Sequence, residues 1–147
     1  MADAEKLVPG TWFVTVTTPD GGVTRTIMTF TSDEGMVERA EPRLEAAIGV
    51  WESGDKEDQF RFMLYRFREK LTIAEPQEER KGEKEEQEAV TVTFDKIQRV
   101  RSTNHMTSDD SFEGTATVDL LDATGTTVDP TPALLTNHKG VRLKLVP

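Results

Sequence analysis

The sequence predicts an all-β protein, an up-and-down antiparallel barrel of eight or nine strands. Three observations lead there. Apolar residues recur at a period of two between Gly10 and Leu121, the period of a half-buried strand, with Gly, Asp and Pro at intervals suited to hairpins. No long amphipathic helix is available to cover a sheet face. An open sheet of so many strands would leave two free edges, and closure removes them. A two-sheet sandwich is the runner-up.

The first strand, Gly10 to Thr18, places Trp12, Val14 and Val16 on one face and Thr11, Thr15 and Thr17 on the other. Pro19-Asp20-Gly21-Gly22 supplies the turn, and Val23 to Thr31 returns with Met28 and Phe30 in the apolar phase. Ser32-Asp33-Glu34-Gly35 turns the chain into a short third strand, Met36 to Glu41, stopped by Pro42. Arg43 to Ala47 reads as one helical turn, and Ile48 to Glu52, with Val50 and Trp51, as the fourth strand. In the fifth, Phe60 to Phe67, Phe60, Phe62 and Leu64 oppose Met63, Tyr65 and Phe67. Such a strand is either buried on both sides or changes phase at a bulge, and the bulge is favoured. Val90, Val92 and Phe94 alternate with Thr and Asp, after which Ile97 falls in the opposite phase and places a bulge near Lys96. Phe112, Gly114, Ala116, Val118 and Leu120 give the cleanest alternation, followed by a turn at Asp122 to Gly125. Val141, Leu143 and Leu145, against Arg142 and Lys144, make the last strand.

The chain of 147 residues is read as one β-barrel domain over 1–147, long enough to bury a core of its own. Within it, 75–88 is a charged insert of seven Glu and three Lys or Arg with nothing apolar, so it joins no core. It reads as a solvated helix within Gln77 to Glu88 or a mobile loop; the sharper reading is a lid over a barrel mouth. The net charge of −9 opposes nucleic-acid binding, because excess carboxylates repel phosphate. No apolar run reaches the ~18 to 20 residues of a membrane span, and Met1 to Lys6 lacks the regions of a signal peptide, so a cytoplasmic location away from membranes is expected.

Chemistry is limited by what is missing. Without cysteine there is no disulfide, thiol nucleophile or cysteine-ligated metal. No phosphate-cradling loop, dinucleotide fingerprint or serine elbow occurs. The two histidines, His105 and His138, are far apart in sequence, and Asp109-Asp110 lacks the spacing of a calcium loop. Neither a cofactor nor a metal is expected.

Gly10-Thr11-Trp12 heading the first strand resembles the Gly-x-Trp opening of calycin barrels, the lipocalin-like proteins. More closely, Leu7 to Phe30, Gly49 to Phe67 and Phe112 to Gly125 resemble small actinobacterial lipocalin-like proteins, mostly of unassigned function. The shared rhythm is GTW-x-V-T-V, then G-V-W-E, an aromatic-rich strand, and GTATV-x-LLD-x-x-G. Roughly half of the chain takes part. The acidic insert and the tail with Pro130 and Pro132 depart from it and leave the mouth geometry and the last strand's pairing open. The resemblance implies an eight-stranded barrel with an apolar interior and Trp12 as a plug at the closed end. Related small barrels serve as ring-forming cyclases in bacterial polyketide pathways.

An eight-stranded barrel is either filled by side chains or holds one small ligand. Candidate ligand-binding positions are Trp12, Val14, Val16, Met28, Phe30, Trp51, Phe60, Phe62, Leu64, Phe94, Phe112, Ala116 and Val118, joined by Val50 as a further interior position. Small Gly114 and Ala116, with flexible Met28 and Met63, favour a cavity. Candidate catalytic groups are Tyr65 as an oxyanion donor, Glu52 as proton acceptor and His105 as acid–base. Three functions follow: a cofactor-free cyclase or isomerase that folds a flexible apolar substrate, the best reading; a non-catalytic carrier of an apolar metabolite; and a filled barrel serving in interactions. A homodimer is an assembly compatible with the sequence.

Overall fold

The computed structural model describes residues 3–41, 46–73 and 90–145, the side chains of 69–73 and 90–95 excepted. One helical turn, α1 (Ala4–Leu7), precedes eight strands: β1 (Gly10–Thr17), β2 (Val23–Phe30), β3 (Gly35–Ala40), β4 (Ala47–Ser53), β5 (Gln59–Ile73), β6 (Val90–Ser108), β7 (Ser111–Leu121) and β8 (Leu134–Arg142). Each strand pairs antiparallel with the next, and β8 returns to β1, so the sheet is a closed up-and-down barrel. Every interior strand edge is thereby satisfied, which is why a chain with so little helix is stable as a single sheet.

The inward phase is as expected along β1 and β2, where Trp12, Val14, Met28 and Phe30 are buried. The break of phase near Lys96 is a bulge: Arg68 pairs with Lys96 but Glu69 with Phe94, leaving Asp95 as the extra residue.

Four expectations are corrected. The segment Phe60 to Phe67 contains no bulge; its register is unbroken on both edges, and Phe60, Phe62, Leu64 and Arg66 all face inward. Its outward apolar residues find cross-strand partners instead, with Tyr65 opposite Ile48 and Met63 opposite Val50 on β4. Val50 is accordingly no interior residue: it is 56% exposed, because Trp51 takes the inward phase of β4. Ala47 opens β4 rather than closing a helical turn, while 43–45 and the insert 75–88 lie outside the described residues. The last strand starts earlier than its apolar residues suggest. Thr136, His138 and Gly140 face inward, and Val141, Leu143 and Leu145 are exposed.

The strands have two unlike ends. At one, α1 and the turns β2–β3, β4–β5 and β6–β7 gather; at the other lie the connections β1–β2 and β7–β8 and the ends of β3 and β5. The first end is closed. Trp12 donates from Nε1 to the Val8 carbonyl at 2.9 Å, and the Arg142 guanidinium lies 4.3 Å from the centre of its ring. Arg142 also donates to the carbonyls of Leu7, Pro9 and Asp109, tying the first and last strands to the β6–β7 turn. Above this clamp, Phe30, Trp51, Phe60 and Phe112 pack edge to face with one another or with Trp12 at centroid separations of 5.0–6.2 Å.

Gly49 lets β4 approach β5, since a Cβ there would overlap the carbonyl of Met63. Gly49→Ala is expected to cost about 1–3 kcal/mol by forcing the two strands apart. Urea melts of the variant check this, and an unchanged midpoint would show that the strands yield freely.

Candidate functional site

The aromatic cluster fills only the closed half of the barrel. Beyond Phe62 the inward side chains become shorter or polar, and a cavity of about 200 Å³ opens toward the other end. Its apolar wall is Val16, Met28, Phe62, Val100, Ala116 and Val118, contributed by β1, β2, β5, β6 and β7. The polar part comes from the same inward phase: Glu38 follows Met36 on β3, Arg66 follows Leu64 on β5, and His138 follows Thr136 on β8.

Arg66 and Glu38 form an ion pair across the interior, Nη2 to Oε1, with both side chains 5% exposed. Such a pair survives burial only because each charge compensates the other. The guanidinium is not fully satisfied, however: Arg66 Nε and Nη1 are buried without a hydrogen-bond partner among the described residues. Orphaned donors of that kind are uncommon in native interiors.

His138 is buried against the rings of Phe62 and Phe112, at 5.7 and 6.1 Å between centroids. Desolvation pushes its pKa down to about 4, so the imidazole is neutral at pH 7. Nε2 faces Asn104 Oδ1, an atom that only accepts, and therefore carries the ring proton. Asn104 is held in turn through Nδ2, which donates to Ser102 Oγ at 2.8 Å and to the Phe60 carbonyl at 3.4 Å. The Asn104–Ser102 pair thus fixes the imidazole at the boundary between plug and cavity.

The three residues expected to do chemistry are not brought together. Tyr65, Glu52 and His105 all project from the outer wall. Tyr65 sits in a surface groove with Ile48 and Phe67, its hydroxyl 3.5 Å from Met63 sulfur. Glu52 is paired with Arg61 at 2.6 Å, and His105 lies 3.4 Å from Glu113 in a groove along β6, β7, β8 and β1. Strand alternation is the reason: each is an odd number of positions from an inward neighbour.

Of the expected ligand-contacting residues, Val16, Met28, Phe62, Ala116 and Val118 line the cavity, whereas Trp12, Val14, Phe30, Trp51, Phe60, Leu64 and Phe112 lie in the packed core. The side chain of Phe94 is outside the described residues. Two arguments for a cavity are corrected. Met63 faces out, and the space beside Gly114 is taken by the Thr103 carbonyl and the Asn104 side chain, so its small size serves close strand approach. Sequence reasoning missed Glu38, Arg66 and His138. The signal was present for the first two, a charge in the inward phase of an alternating strand, which is where a charge needs a reason.

The outer wall carries its own electrostatics. Asp119 accepts from Arg99 through both carboxylate oxygens and from Arg101, all at 2.9 Å, and the Arg99 hydrogen bond above all holds its pKa below the usual carboxylate range. Among the described residues no helix is long and apolar enough to cross a membrane.

These features define a closed eight-stranded antiparallel barrel, plugged at one end and hollow at the other. Solved structures share the fold. The chain is similar to EF1p2_mFAP2b, solved bound to DFHBI, with a TM-score of 0.54 and 16% identity over 97% of this chain and 99% of that one. It is similar also to a redesigned beta barrel, b11L5F_LGL, with a TM-score of 0.50 and 16% identity over 98% of each chain. No family model matches the sequence, and no curated protein matches it significantly.

Proposed function

We propose that this barrel binds a small, largely apolar molecule in its hollow half. The observation that carries the reading is the interior cavity itself, about 200 Å³, lined in equal parts by apolar residues, among them Val16, Met28, Phe62, Ala116 and Val118, and by polar ones, among them Thr26, Gln98, His138 and the Glu38–Arg66 pair. A concave space with an apolar wall and polar groups converging on it is what small-molecule sites share. A barrel of similar fold solved with the small molecule DFHBI supports it. The segments that resemble actinobacterial lipocalin-like proteins point the same way.

Turnover in the same cavity, as a cofactor-free cyclase or isomerase, is the second reading. The buried Glu38–Arg66 pair favours it, since ionisable groups held in an apolar cavity are the usual means of polarising a substrate. Shape alone can also contribute by holding a flexible chain in a near-attack conformer. With Tyr65, Glu52 and His105 on the outer wall, chemistry inside the barrel would fall to Glu38, Arg66 and His138.

Binding is tested by equilibrium dialysis of the protein against two-ring aromatic probes. Saturable, stoichiometric uptake is expected, and Val118→Trp, which fills the cavity from its own wall, is expected to lower affinity at least about 10-fold while the barrel remains folded. Equal uptake by a folded Val118→Trp variant would place the binding elsewhere. Release of a cyclised product from a linear precursor, faster than without protein, would distinguish catalyst from carrier.

A further inference from the structure

The orphaned nitrogens of Arg66 specify more about the ligand than its apolarity. We propose that the cavity takes a neutral carbonyl compound, an apolar body carrying a ketone, quinone, lactone or amide oxygen that accepts hydrogen bonds from Arg66. The inference rests on the binding reading above and sharpens it.

Arg66 lines the cavity and is nine-tenths buried, with Nη2 committed to Glu38 and with Nε and Nη1 unpartnered among the described residues. Leaving such donors unpaired in an apolar interior is costly, and a bound acceptor removes that cost. Thr18, Thr24 and Gln98 also line the space but are only half-buried, and the other fully buried polar groups of the lining have partners of their own. Thr26 Oγ1 donates to the Arg39 carbonyl at 3.2 Å and Thr136 Oγ1 to the Ala116 carbonyl at 3.5 Å. His138 has its protonated nitrogen on Asn104.

The charge balance then selects the kind of acceptor. Glu38 already pairs with the guanidinium, so a ligand carboxylate would bring a second anion to the one cationic side chain that lines the cavity among the described residues, and leave a net negative charge in the interior. A carbonyl oxygen satisfies the same donors and adds no net charge. The walls of Val16, Met28, Phe62 and Val118 cover the rest of the molecule. A site built to hydrogen-bond an oxygen discriminates strongly against an analogue that lacks it, because its own donors are then left unpaired.

The test compares three two-ring probes of similar shape by equilibrium dialysis: acetylnaphthalene, ethylnaphthalene and naphthoate. The ketone is expected to bind about 10-fold or more tightly than the hydrocarbon, and more tightly than the carboxylate. In Arg66→Met the ratio of ketone to hydrocarbon affinity is expected to fall to about one. Should that variant fail to fold, the double variant Glu38→Leu/Arg66→Met removes donors and countercharge together and is expected to give the same loss of preference. Equal affinity of ketone and hydrocarbon for the unmodified protein would mean that water satisfies the guanidinium, which overturns the proposal and leaves the binding reading intact. Tightest binding of naphthoate would overturn it in favour of an anion site. Failure of all three probes to bind would remove both readings.

Discussion

Glu38→Leu is expected to destabilise the protein by about 3–5 kcal/mol, the scale of a buried ion pair that loses one member. Arg66 donates from Nη2 to Glu38 and has two further nitrogens without partners among the described residues, so the variant leaves an uncompensated guanidinium in the interior. Combining it with Arg66→Met is expected to restore most of the loss, because two apolar side chains of similar size can replace a buried pair at little or no cost. Urea unfolding of the two single variants and the double variant measures this as a cycle. A loss under about 1 kcal/mol in Glu38→Leu would mean that the pair is solvated from the mouth and behaves like a surface salt bridge.

Acidification is expected to weaken the fold through His138 before the carboxylates contribute. Its pKa falls from the ordinary 6.5 to about 4 on burial, so between those values the unfolded chain binds a proton that the folded chain refuses. Stability therefore rises with pH across that window, is complete above about 6.5, and is lost as the pH falls toward about 4. The difference corresponds to about 3 kcal/mol at ~1.4 kcal/mol per pH unit. The lowered carboxylates, Asp119 among them, act in the opposite chemical sense but the same direction, and only below the ordinary value of 3.8. His138→Gln keeps a donor toward Asn104 and removes the titration. Unfolding free energies of the two proteins at pH 7 and pH 4.5 should diverge in their pH dependence by most of that amount. Parallel curves would mean that the imidazole is hydrated in the folded state.

Much of this architecture is legible in the sequence, and the reason is local. Apolar residues keep one phase over Trp12, Val14 and Val16 of β1, Met28 and Phe30 of β2, and Phe112, Ala116 and Val118 of β7, the turns carry Gly, Asp and Pro where hairpins need them, and Gly10-Thr11-Trp12 marks the strand that begins the closed end. The bulge near Lys96 is legible too, since an inserted residue inverts the alternation on its own strand. Where the reading failed, the failing step was the assumption that the apolar face of a strand is the inner one. In β5 both faces are apolar, and in β8 the apolar residues Val141 and Leu135 face solvent while Thr136 and His138 face in.

The sequence by itself determined the class of fold, the number of strands to within one, the position of the plug and most of the apolar wall. These depend on properties that one strand carries alone: its period, its turn residues and the volume of its side chains. Only the tertiary structure decided which charges are inside. Glu38 and Arg66 lie 28 positions apart on strands that are not neighbours, and His138 is held by Asn104, 34 positions away. A buried charge is stable only beside its partner, and the partner is supplied by barrel closure, which sums the registers of all eight strands. No single strand contains that sum, so the chemistry of the cavity becomes readable only once the sheet has closed on itself.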